Sequence, residues 1–180
     1  MMCKKSELIN EMIRYYAGDV KRINHFMKVY SFAKTIGEME KLEIEKQEVL
    51  ELAAIVHDIG IKVSEQKYNS SAGKYQEIEG PSIAKEFLQK LGYSEKVILR
   101  VCHLVGHHHT YTAIDDVDFQ ILVEADFLIN IHEENMDKDT IYKIRDNYFK
   151  TKSGIDFLNK MYLSDFLNSS INSKTLSGEV

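Results

Sequence analysis

The chain has no tryptophan, a single proline (Pro81) and only two cysteines among its 180 residues. Cys3 and Cys102 have no CxxC spacing and no further thiols to pair with, which excludes a disulfide framework. No apolar run approaches the roughly 20 residues that cross a bilayer, and the most apolar stretch is broken by Glu124 and Asp126. Long blocks of Lys or Arg are absent too. With a net charge of -5 and a pI near 5.8, an electrostatically driven nucleic-acid or membrane surface is not expected. The N-terminus lacks the charged segment, apolar core and cleavage site of a secretion signal. The expectation is a cytoplasmic protein without stable nucleic-acid or membrane binding, whose partner is a small molecule; a homodimer is left open.

What is present is an ordinary 44% hydrophobic content, enough for one domain with a substantial core. The informative bias is histidine: seven in all, four of them between His103 and His109.

Apolar residues recur at helical spacing nearly throughout, and no strand pattern competes. A first helix is expected from a Ser6 cap to about Ala17, interrupted by Gly18-Asp19. A second begins near Val20 with Ile23, Phe26, Met27, Tyr30 and Ala33 on one face, and carries His25. Val49, Leu52, Ala53 and Val56 mark a third that runs into His57-Asp58-Ile59-Gly60, where Gly60 is expected to stop it. Lys62 to Gly80 lacks periodicity and reads as a lid or substrate loop. Pro81 suits the first turn of the next helix, which Gly92 closes. Ser94 caps a helix that ends at Gly106-His107-His108-His109, before a polar loop containing Asp115 and Asp116. Further helices are expected over Val117 to Ile131, Lys138 to Phe149 and Ile155 to Leu167. The predicted fold is therefore all-α, one domain over residues 1–167 with a flexible tail over 168–180.

Three places carry chemistry. The pair His57-Asp58 follows the apolar run Leu52-Ala53-Ala54-Ile55-Val56; adjacent residues diverge by roughly 100° on an ideal helix, so both reach one ion only where the helix ends. Asp126 lies among Ile121, Leu122, Val123, Ala125, Phe127, Leu128 and Ile129, and a carboxylate buried there needs a partner. His25 sits on a helix of its own. A hydrolytic metal needs such nitrogen and oxygen ligands on rigid elements, with a position open for water. His103 and His107, at i and i+4, form a further pair able to pinch an ion from one helix face, although the Glu of a zinc-protease motif is missing.

In order and spacing, His25, His57-Asp58 within His-Asp-Ile-Gly, and Asp126 within Glu-Ala-Asp-Phe-Leu resemble the H, HD, D signature of the HD superfamily of metal-dependent phosphohydrolases. The likeness covers roughly residues 20 to 150. Gln76-Glu77-Ile78-Glu79-Gly80-Pro81 and Gly106-His107-His108-His109-Thr110-Tyr111 are similar to segments of small bacterial stand-alone members. The resemblance implies a single HD-domain bundle with a core of about five helices plus terminal ones, and His25, His57, Asp58 and Asp126 as ligands of a first divalent ion.

In two-metal relatives, histidines add a second ion. The corresponding places here are Gln76, followed by Glu77 and Glu79, and the pair His107 and His108. Asp58, Glu77 and Glu79 are the candidate acid, base or water-orienting groups. The phosphate-contacting lysine that follows the HD motif in two-metal relatives is displaced by one, to Lys62. The implied cofactor is one or two divalent ions, with Mn, Fe, Co, Ni, Mg and Zn all compatible. The implied reaction is hydrolysis of a nucleotide or other small phosphorylated metabolite, as a mono- or diester, by a metal-activated water. A di-iron oxygenase and a non-catalytic nucleotide sensor are the alternatives.

Overall fold

In the structure, a computed structural model describing residues 3–164, the described residues form helices joined by short connections. The helices are α1 (Lys4–Tyr15), α2 (Val20–Met39), α3 (Ile44–Val56), α4 (Ile61–Tyr68), α5 (Gly73–Lys90), α6 (Glu95–Val105), α7 (Val117–Glu133), α8 (Lys138–Tyr148) and α9 (Lys152–Tyr162), with a 3-10 turn at Tyr111–Ala113. No strand occurs among the described residues.

Two helices form the centre. Residues 49–56 of α3 are all buried, as are residues 121–129 of α7. A helix apolar around its whole circumference must be enclosed by others. Here α2 packs on both, α6 lies against α3, and α5 pairs with α6, which gives the five-helix core. The remaining helices decorate it: α1 leans on α3 and α5, while α8 and α9 close over α7.

Local signals account for several helix starts. Asp19 caps α2 by accepting from the Arg22 N–H, Ser94 caps α6 through Val97, and Thr151 caps α9 through Gly154. Gly18 (φ +90) makes the left-handed break between α1 and α2. Ser6 is not a cap; α1 starts two residues earlier behind Cys3, without a side-chain cap, and ends at Tyr15.

The largest difference from the sequence reading lies between residues 62 and 80. There is no long loop: α4 and the first two turns of α5 occupy the segment, leaving 69–72 as the connection. The helical face of α4 is short and partly polar, with Ile61 and Ser64 as its buried residues, so no apolar period marks it. Pro81 consequently lies inside α5 rather than in its first turn. It leaves the Glu77 carbonyl without its i+4 donor.

Gly60 serves a different purpose from the expected stop. Its φ of -71 is open to any residue, but a Cβ there would stand 2.6 Å from the Gln76 carbonyl oxygen and 2.9 Å from the Gly80 nitrogen. It lets the turn after α3 touch the backbone of α5. At the other end, α9 stops at Tyr162; its expected extension to Leu167 and the tail over 168–180 fall outside the described residues.

Candidate metal centre

Three elements of the core meet at the HD pair. His57 and Asp58 occupy the turn between α3 and α4, His25 comes from the second turn of α2, and Asp126 from the middle of α7. His25 Nε2 lies 3.2 Å from His57 Nε2, 3.2 Å from Asp126 Oδ1 and 3.5 Å from Asp58 Oδ2. His57 Nε2 is 3.4 Å from Asp58 Oδ2 and 3.6 Å from Asp126 Oδ1. Ligand atoms that share an ion at about 2.1 Å stand about 3 to 3.5 Å from one another; His25, His57 and Asp58 form one such mutually close set, and Asp126 joins it through both imidazoles.

The tautomers decide what this arrangement wants. His57 Nδ1 donates to the Ala54 carbonyl at 2.9 Å, and His25 Nδ1 donates to Glu133 Oε2 at 3.0 Å. Each Nε2 therefore carries a lone pair, and the two lone pairs face each other in a buried space beside two carboxylates. Only a cation or an extra proton between them relieves this. The surrounding charges agree. Burial alone would lower His25 and His57, yet Asp126 and Asp58 outweigh it and hold both above the ordinary imidazole value, His57 well above. Burial would raise Asp58 and Asp126, yet the imidazoles hold both below the carboxylate range. The site stabilises positive charge at its middle, and its N/O donor set fits a divalent ion.

A second cluster adjoins it. His108 is buried, donates from Nδ1 to the Val105 carbonyl at 2.8 Å, and leaves Nε2 without a hydrogen-bond partner among the described residues, 3.5 Å from Asp58 Oδ1. Asp58, His108 and His109 also bring one ligand atom each within reach of a single ion. Burial, with His108 alongside, pushes His109 down to about 4, so its imidazole is neutral at pH 7 and keeps a lone pair to offer a cation. Asp58 stands between the two clusters, one carboxylate oxygen toward each.

A cavity of about 410 Å³ opens over this centre. Its floor is His25, Asp58, Gln76, His109 and Asp126; its rim includes Lys21, Arg22, Ser71, Gly73 and Glu134. Gly73 admits His109 to that floor, since a Cβ there would lie 2.5 Å from the His109 ring.

A family model described as HD domain matches residues 22–144. The chain belongs to the HD-domain family. The crystal structure of a predicted HD superfamily hydrolase from an uncultured Thermotogales bacterium is similar in fold, with a TM-score of 0.65, 18% sequence identity, and 93% of this chain and 91% of that one covered. No curated protein matches.

Within this HD domain the residues singled out from sequence fall into two groups. His25, His57, Asp58 and Asp126 converge, and Gln76 and His108 join them. Gln76 donates to the Ser71 carbonyl and holds Oε1 3.4 Å from His109 Nε2. The others are engaged elsewhere. His107 bonds to the His103 carbonyl and packs on the His103 ring, 4.5 Å between centroids, because successive residues leaving α6 point in different directions. His103 Nε2 lies 3.4 Å from Asp115 Oδ2. Glu77 accepts from the His109 N–H and the Thr110 hydroxyl, tying α5 to the histidine turn. Glu79 accepts from Lys67 and Tyr68. Lys62 donates to the Tyr15 carbonyl and lies over the Tyr15 ring.

Four residues at the site escaped the sequence reading. Asn130 donates to Asp126 Oδ2 at 2.9 Å, and Glu133 braces His25 while accepting from Lys28 at 3.1 Å. Asp126, Asn130 and Glu133 recur at i, i+4 and i+7, one face of α7, and that spacing was the available signal. Arg22 and Lys21 stand at the cavity where Lys62 was expected. They lie three and four residues before His25, about one helical turn away.

Proposed function

We propose that this HD-domain protein is a metal-dependent phosphohydrolase acting on a nucleotide or another small phosphorylated metabolite. The observation that carries the reading is the pair of imidazole lone pairs, on His25 and His57, facing each other between the carboxylates of Asp58 and Asp126. The family membership agrees with it, and the similar Thermotogales protein is a predicted HD superfamily hydrolase.

In this reading His25, His57, Asp58 and Asp126 hold the first ion, and Asp58 with His108 and His109 holds a second. A divalent ion held by these residues would supply a water of lowered pKa and a positive charge for a phosphoryl oxygen. The protein's own groups do the rest. Glu133 fixes the His25 tautomer, the Ala54 carbonyl fixes that of His57, and Asn130 orients Asp126. Asp58 keeps an oxygen beside each cluster, which suits it to orient the attacking water. Arg22 already answers to Asp19 and Glu65, which leaves Lys21 as the rim cation with no carboxylate partner among the described residues. Glu77, Glu79 and Lys62 take no part.

The test is phosphate release from a panel of nucleotides, sugar phosphates and model diesters under Mn, Co, Ni, Mg, Zn and anaerobic Fe(II), with His57→Ala and Asp126→Ala as controls. Hydrolysis that needs a metal and vanishes in both variants is expected. Normal turnover in the variants would overturn the reading, as would a strict requirement for oxygen with two irons bound.

A further inference from the structure

Beside the metal cavity lies a second groove of about 350 Å³, lined by Lys21, Asn24, Lys28, His132, Glu133 and Asn135. The two spaces share Lys21 and Glu133. Lys21, Asn24 and Lys28 are spaced at i, i+3 and i+7 along α2, the face that also presents His25; His132 and Asn135 come from the end of α7.

The groove's charge is positive in effect. Its one carboxylate, Glu133, is already spent: Oε2 accepts from His25 and Oε1 from Lys28. The last carbonyls of α7 are also occupied, those of Asn130, Ile131 and His132 accepting from the N–H groups of Glu134, Met136 and Asn135, which blunts the negative end of the helix. Lys21 has no carboxylate partner among the described residues. What remains to offer a ligand is an ammonium, a second ammonium shared with Glu133, two amides and an imidazole. That is a donor set for a phosphate, and it adjoins the cavity over the reaction centre, with which it shares Lys21 and Glu133, without containing any of the centre's ligands.

We propose that this groove is a second anion subsite, which holds a phosphate of the substrate other than the one being hydrolysed. Lys21 stands at the junction of the two spaces, and the substrate class is accordingly a nucleotide or metabolite bearing two separated phosphates. The inference rests on the phosphohydrolase reading and adds to it what the substrate must carry.

The experiment takes the nucleoside 5'-monophosphate that the metal-loaded protein hydrolyses fastest, and the 3',5'-bisphosphate of the same nucleoside. The wild type is expected to prefer the bisphosphate in kcat/KM. That preference should fall about tenfold in Lys21→Ala and in His132→Ala, as expected for loss of one charge-assisted hydrogen bond. It should persist in Lys21→Arg and in Lys62→Ala, whose side chain serves Tyr15 instead. An equal preference in wild type and the alanine variants overturns the subsite while leaving the hydrolase reading intact. Should no phosphate ester be hydrolysed, that reading fails separately, and calorimetric binding of adenosine 3',5'-bisphosphate against adenosine 5'-monophosphate to Mn-loaded wild type and Lys21→Ala decides the subsite. Tighter bisphosphate binding that depends on Lys21 supports it, and equal binding of the two ligands refutes it.

Discussion

Glu133 Oε2 accepts the Nδ1 proton of His25 at 3.0 Å across 108 residues of sequence, from the last turn of α7 to the second turn of α2. A carboxylate behind a ligating imidazole fixes the tautomer, aims the ring and raises the basicity of its free nitrogen.

Glu133→Gln should therefore weaken divalent-ion affinity by about 10- to 100-fold with little change in stability. Calorimetric titration with Mn(II), alongside a urea melt of the apo protein, separates the two effects. Unchanged affinity would reduce the contact to an ordinary ion pair.

Relief of the facing imidazoles should register as stability. With free metal at 100 times its Kd, melting should gain about 2.7 kcal/mol over protein held in chelator, read from urea midpoints with and without EDTA. In His57→Ala the gap should largely close. A wild-type midpoint indifferent to every metal tried would count against the centre.

The histidine turn distinguishes its members. His108→Ala should lose hydrolytic rate and its share of bound metal, since Nε2 of His108 is the unpartnered atom beside Asp58. His107→Ala, whose imidazole serves the His103 carbonyl, should retain both. Metal content by elemental analysis, together with turnover, tells them apart; the reverse pattern would relocate the second cluster.

Gly60→Ala should cost about 1–3 kcal/mol, because the new methyl would meet the backbone of Gln76 and Gly80 rather than a side chain that can move. Since this contact positions the turn bearing His57 and Asp58, metal affinity should fall with it. A urea midpoint equal to wild type would show that α5 gives way at no cost.

Asp115 offers a pH test away from the metal. Its bond and charge interaction with Arg100 push it down to about 2, below the 3.8 of a free side chain. A carboxylate with a lowered folded-state pKa contributes stability that is fully present above the unfolded value and is lost as pH falls through the folded one. The stability difference between wild type and Asp115→Asn should be constant near neutrality, shrink below about pH 4, and approach zero near pH 2. Denaturant midpoints for both proteins across that range check it, and a difference independent of pH would exclude the ionised pair as its source.

Much of this protein could be read from residue order. The all-α class followed from apolar spacing, and α3 and α7 stood out because no polar face interrupts Leu52 to Val56 or Ile121 to Val123. The position of His57-Asp58 at a helix end also followed, since an adjacent pair cannot otherwise face one ion. What escaped did so for local reasons. The short helix α4 buries too few apolar side chains to show a period, and Pro81 looked like a helix start because its missing N–H is least costly there. Of the polar residues, Glu77 and Glu79 looked catalytic by position along the chain, yet a carboxylate's role depends on its donors. Theirs turned out to be Thr110 with the His109 backbone, and Lys67 with Tyr68.

By itself, then, the sequence determined the helical fold and the four side chains that meet at the centre, because burial and ligand chemistry leave few other uses for such residues in apolar surroundings. Only the tertiary structure decided which neighbours serve them: His108 and His109 rather than His107, Glu133 behind His25, and Lys21 rather than Lys62 at the rim. Those choices depend on the direction in which each side chain leaves its helix and on how closely the helices pack. Both are properties of three-dimensional contact: spacing such as that of Asp126, Asn130 and Glu133 puts residues on one face of a helix but does not say which side chain from another helix that face will meet.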